Sequence, residues 1–123
     1  MTRNQIITCR LVLLAAVVVI TYLATTQQQY PVVRELSDKA SHFLAFYVLA
    51  LLVDYSFPRT NLGIAKLGWL IAYGMMIEVV QSFIPNRTAS LIDLAADGMG
   101  IALYGLSIPV LKRVPLMNRR WMV

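Results

Sequence analysis

The chain has 123 residues, of which 59% are hydrophobic and 14% charged, with a formal net charge of +5. Ordinary soluble domains carry roughly a quarter charged residues, so this composition excludes a typical soluble globule. No repeat, Gly/Ser linker or low-complexity run divides residues 1–123, which are read as one domain.

A membrane-spanning helix needs roughly 20 mostly apolar residues. The first such segment runs from about Ile6 to Ala24. Arg3 and Arg10 lie ahead of an apolar run, as in a signal peptide, but Leu23-Ala24-Thr25-Thr26 lacks an A-x-A-like cleavage site, so the segment is expected to stay as a span. It holds no acidic residue and reads as a peripheral strut. Cys9 within it has no disulfide partner and no nearby base, and is assigned no chemistry.

The second, third and fourth spans are expected at about 40–57, 64–84 and 91–111. The breaks between them, TTQQQYPVVRELSDK, PRTNLG and PNRTAS, carry turn and charge chemistry. Pro31, Pro58 and Pro85 are expected outside the spans, because proline costs a helix one hydrogen bond. Lipid offers no partner to backbone polar groups, so each span should be helical. The expected fold is all-α: an integral membrane four-helix bundle.

Orientation follows from the basic residues. With the amino terminus inside, Arg3, Arg10, Arg59, Lys66, Lys112, Arg113, Arg119 and Arg120 lie inside, and Arg34, Lys39 and Arg87 outside. This distribution predicts both termini in the cytoplasm. The basic tail KRVPLMNRRWMV, with Trp121 at the interface, is expected to rest on anionic lipid, so the net charge calls for no nucleic acid.

In that orientation the outer ends of helices 2, 3 and 4 carry the polar residues. At about 1.5 Å per residue, His42 lies about 6 Å along its helix from Asp38, Glu78 about 9 Å below Ile84, and Asp97 about 6 Å beyond Asp93. Asp38 and His42 are four apart, Glu78 and Gln81 three apart, and Ser90, Asp93, Asp97, Gly100 and Tyr104 step along one stripe. Glycine and alanine on these stripes would let the helices approach closely.

Each of these residues also has a structural reading. Ser90-Leu91-Ile92-Asp93 matches a capping box, Asp38 suits a helix start, and Lys39 and Arg87 sit where snorkelling is routine. A lone His on an apolar helix is commonly a satisfied hydrogen-bonder, and Tyr73 and Tyr104 are most simply packing. Glu78 and Asp97 resist such readings, since each lies a turn or more inside its helix and an ionised carboxylate in hydrocarbon costs several kcal/mol. Fully ionised, Asp38, Glu78, Asp93 and Asp97 outnumber Lys39 and Arg87 by two charges. A protonated carboxylate, a protonated His42 or a bound cation would balance the excess.

Asp38-Lys39 followed by His42-Phe43, then Glu78 with Gln81, Arg87 with Ser90 and Asp93, and the sequence Asp97-Gly98-Met99-Gly100 resemble the VanZ-like family of small bacterial membrane proteins. The likeness runs from about Ser37 to Gly105. It implies a multi-pass helical domain in the bacterial cytoplasmic (inner) membrane and a link to the cell envelope, the family being named for a protein tied to teicoplanin, a glycopeptide antibiotic. It implies no reaction. The family's polar positions fall here on Asp38, Lys39, His42, Glu78, Gln81, Arg87, Ser90 and Asp93. Where the family more usually has Asn, this chain has Asp97, which adds negative charge to the deeper layer.

Two function classes follow. In one, the cluster faces outward and binds or processes an anionic envelope lipid or lipid-linked precursor, with Lys39 and Arg87 on its phosphate and Glu78 and His42 placed for proton transfer. No Ser-His-Asp order, metal-binding His pair, Gly-rich phosphate loop or Cys nucleophile is visible, so no reaction, metal or cofactor is assigned. Asp38, His42, Glu78 and Asp97 do have the chemistry for a divalent cation. In the other class the cluster fixes helix register in a scaffold that assembles with copies of itself or with a membrane partner protein. A proton-coupled carrier suits the acidic residues but not their confinement to one face; near the cytoplasmic ends only Asp54, at the end of helix 2, would favour it.

Overall fold

The computed structural model of the chain describes residues 2–25, 31–84 and 91–121, and for residues 31–39 the backbone alone. The described residues form four α-helices and no strand: α1 (Arg3–Thr25), α2 (Pro31–Ser56), α3 (Ile64–Gln81) and α4 (Leu91–Leu111). A short 3-10 helix, Met117–Trp121, follows. Helices α1, α3 and α4 are each long and apolar enough to cross a membrane, and the Ala40–Ser56 part of α2 is a shorter apolar helix.

The four helices overlap the four expected spans, with differences at their ends. Helix α2 begins at Pro31 rather than near residue 40. A proline is tolerated in the first turn, where its missing N–H would have had no intrahelical partner, so Pro31 opens the helix instead of interrupting it. Helix α3 stops at Gln81, short of Ile84. Ser82 N–H still bonds Glu78 O, but Phe83 and Ile84 N–H groups turn to Val80 O and Gln81 O, the tighter three-residue pattern of a closing helix.

Helix α2 is central and packs on α1, α3 and α4. Its closest neighbour is α4, and Gly100 explains why: a Cβ there would collide with the Phe43 carbonyl oxygen and lie 3.0 Å from Tyr47 N. Only a residue without a side chain allows that approach. The core between the helices holds Phe46, Leu49, Ala50, Val53, Leu70, Tyr73, Ile77, Ile101 and Tyr104. Helix α1 buries no residue and lies at the periphery, as its uniform apolar sequence predicts.

Charge and grease are arranged inside out. Asp54, Lys66, Asp93, Asp97 and Arg120 are buried, whereas Leu11, Leu14, Ile64, Val79, Leu91 and Leu106 are exposed. A water-soluble protein almost never fully buries its charged residues unless they are paired. Here buried charge goes with large apolar side chains exposed on all four helices.

Candidate functional site

Two polar clusters occupy opposite ends of the α2–α3–α4 core. On α2 they are marked by His42 and Asp54, and on α3 by Glu78 and Lys66, each pair twelve residues apart, or about 18 Å along the helix.

The first cluster is the one anticipated from the sequence. His42 Nδ1 lies 2.7 Å from Asp97 Oδ1, and His42 Nε2 lies 3.9 Å from Glu78 Oε1. With Asp97 ionised, its carboxylate can only accept, so Nδ1 carries the proton and donates to it. In the neutral ring Nε2 is then a lone pair, 3.9 Å from Glu78 Oε1 and beyond hydrogen-bond reach of it. The three side chains come from three helices, and ligand-capable atoms of all three lie within 4.8 Å of one another. His42 and Glu78 keep 10% and 12% of their side-chain exposure, a narrow opening, while Asp97 keeps 3%. Asp97 Oδ2 is buried with no hydrogen-bond partner among the described residues. Gly74 makes the room for it, since a Cβ at that position would sit 2.9 Å from Oδ2.

The other anticipated residues divide. Asp93 is buried one turn before Asp97 on α4. Gln81 is buried too, but its Nε2 donates to Ala24 O of α1 at 2.9 Å, so it ties α3 to the peripheral helix. Arg87 and Ser90 lie outside the described residues, and so do the side chains of Asp38 and Lys39.

Of the second cluster the sequence marked Asp54 alone, and its partners were missed. Asp54 is fully buried, and its Oδ1 accepts from Lys66 Nζ at 2.7 Å and Arg120 Nη2 at 2.9 Å, while Oδ2 accepts from Tyr104 Oη at 2.6 Å. Lys66 also donates to Phe57 O and Thr60 O. Arg120 donates to the carbonyls of Asp54, Pro58 and Thr60. These carbonyls belong to the end of α2 and the turn beyond it, where helical partners run out and cations are favoured. Lys66, within the expected third span, is buried in the bundle core. Two sequence expectations change here: Tyr104 is a donor to Asp54 as well as a packing group, and Arg120 is 2% exposed on Asp54 instead of lying on lipid. Trp121 likewise turns inward, edge-on to Tyr55 at 5.7 Å. The signal was present: an Asp in an apolar span needs a cation at its own depth, and Lys66 is one.

A cleft of about 1100 Å³ lies between α1 and the α2–α3 turn, away from the His42 cluster, lined by Arg3, Arg10, Phe57, Arg59, Lys66 and Trp69 among others. It is the open groove left where peripheral α1 leans on the core. Basic residues over an apolar wall suit a lipid flank better than an enclosed site.

No known family model and no solved structure matches the chain. It is similar to an uncharacterised protein of the fission yeast Schizosaccharomyces pombe, 32% identical over 71 residues that make up 55% of this chain and 44% of that protein. The chain thus spans less than half the length of the curated relative it matches.

Proposed function

We propose that the chain is a VanZ-like, multi-pass membrane protein whose His42–Glu78–Asp97 site binds a phosphate-bearing envelope lipid or lipid-linked precursor. The observation that carries this reading is the unfinished state of a buried site. Asp97 Oδ2 is buried with no hydrogen-bond partner among the described residues, whereas both oxygens of Asp54 are paired. A buried polar atom without a partner costs about 1–3 kcal/mol, and such a cost is commonly met where a ligand completes the site. The inside-out arrangement of charge supports insertion in a membrane, and the positive-inside count supports cytoplasmic termini. A ligand that reaches the opening at His42 and Glu78 then comes from the lipid phase or its surface. Lys39 and Arg87 remain the residues assigned to its phosphate. The bacterial inner membrane as the setting rests on the VanZ-like resemblance, the yeast relative being eukaryotic.

The alternative, a scaffold or partner subunit whose polar residues only lock helix packing, is favoured by the Asp54 network, which does that at the other end. Binding separates the two. A short-chain polyprenyl phosphate titrated into the detergent-solubilised protein should raise its unfolding midpoint, by about 2.7 kcal/mol at a hundredfold excess over Kd. The gain should vanish in His42→Gln. Equal stabilisation of parent and variant would remove the cluster as the site. Orientation is tested separately: cysteines placed at Arg34 and Asn86 should react with an impermeant thiol reagent in intact cells.

A further inference from the structure

We propose that the His42–Glu78–Asp97 cluster is a site for one divalent first-row transition-metal cation, with His42 Nε2 and Glu78 as direct ligands and Asp97 as the carboxylate that orients the imidazole. The inference deepens the binding reading and rests on it only in treating this cluster as open to a ligand.

Three observations lead to a cation and not merely to a polar contact. First, Nε2 and Glu78 Oε1 are 3.9 Å apart, too far to share a proton in an ordinary hydrogen bond. Metal bonds to imidazole nitrogen and carboxylate oxygen run about 2.0–2.2 Å, so one ion seated between the two atoms reaches both. Second, the other ring nitrogen is already held by a carboxylate at 2.7 Å. Carboxylate, histidine and metal in line is the recurrent arrangement that fixes the tautomer of a liganding histidine and raises its basicity. Third, Asp97 Oδ2 is buried with no donor among the described residues. A cation seated beside the imidazole offsets that buried negative charge.

The ligand set selects among cations. Magnesium and calcium favour all-oxygen shells, whereas an imidazole with carboxylates suits zinc, manganese or iron. The cation also resolves a tension in the lipid reading. An acidic pocket repels a phosphate, but a metal with positions not filled by protein attracts one. Here the described residues supply two direct ligands, and the narrow opening at His42 and Glu78 lets further ligands in.

The test uses the full chain in detergent, free of any histidine tag and of phosphate-bearing lipid, stripped with chelator and titrated with Co²⁺ and Zn²⁺. His42 is the chain's one histidine, so Co²⁺ should bind at one equivalent with hyperfine-shifted imidazole proton signals in the NMR spectrum. Glu78→Gln should abolish binding, and Asp97→Asn should weaken it roughly 10–100-fold. No stoichiometric metal in the parent, or metal bound with unshifted imidazole signals, overturns the proposal without need of any variant. Unchanged affinity in a folded Glu78→Gln protein also overturns it. Polyprenyl phosphate binding by the metal-free parent would leave the lipid reading standing while the metal falls. Metal binding without lipid binding would do the reverse.

Discussion

At one end of the bundle a single carboxylate, Asp54, meets three donors, Lys66, Arg120 and Tyr104. At the other, two carboxylates share one imidazole, and one of their oxygens is left without a donor among the described residues. Both clusters are buried and both draw on α2, α3 and α4, so burial and convergence do not separate them. Completeness does. The Asp54 cluster ties the end of α2 to the start of α3 and to the 3-10 helix, and its geometry leaves its carboxylate nothing further to do. The His42 cluster keeps a buried carboxylate oxygen, Asp97 Oδ2, with no donor among the described residues, and a ligand can complete it.

Substitutions should expose that contrast. The largest loss is expected for Asp54→Ala, which strands Lys66 and Arg120 in the core. Removing one partner of a buried pair costs about 3–5 kcal/mol, readable as a drop in unfolding midpoint in detergent. A loss below about 1 kcal/mol would show that water or lipid phosphate takes over the cations. Next comes Gly100→Ala, whose methyl group meets the Phe43 carbonyl and must push α4 from α2, for about 1–3 kcal/mol of overpacking. Asp97→Asn is the counterpart of the first and should shift stability by no more than about 1 kcal/mol. It keeps an oxygen for His42 while discharging a buried group whose other oxygen loses no partner. A loss as large as that of Asp54→Ala would mean that both clusters are structural. The smallest effect is expected for Tyr73→Phe, which removes the 2.6 Å contact with Thr21 of α1. Hydrogen bonds between membrane helices average about 0.6 kcal/mol, and the same measurement should show little more.

The glycines sharpen the comparison further. Gly100 sets the spacing between α2 and α4, whereas Gly74 clears space for side-chain atoms alone, Asp97 Oδ2 and the edge of the Phe46 ring. Gly74→Ala should therefore disturb ligand binding more than it disturbs folding, with Gly100→Ala the reverse.

Composition and periodicity determined much of this molecule. Four apolar segments become four helices, three of them long and apolar enough to cross a membrane, because nothing else satisfies a backbone in an apolar setting, and α4 begins and ends where its pattern does. The stripe Asp93, Asp97, Gly100 and Tyr104 is buried along its length, because residues three and four apart share a helix face. The convergence of His42, Glu78 and Asp97 was legible for the same reason, helped by the cost of leaving such groups in hydrocarbon.

Rotation and long-range return were decided only in three dimensions. Glu78 and Gln81 are neighbours by spacing, yet three residues leave them about 60° apart around the axis. The boundary between α3's neighbours runs through that angle, so Glu78 faces His42 and Gln81 faces α1. Arg120 returns from 66 positions away to reach Asp54. A basic residue near the chain's end reads as a surface charge until the fold shows a buried carboxylate waiting for it. Helical periodicity carries information over one or two turns, and which face meets which partner is settled by packing among all the helices at once.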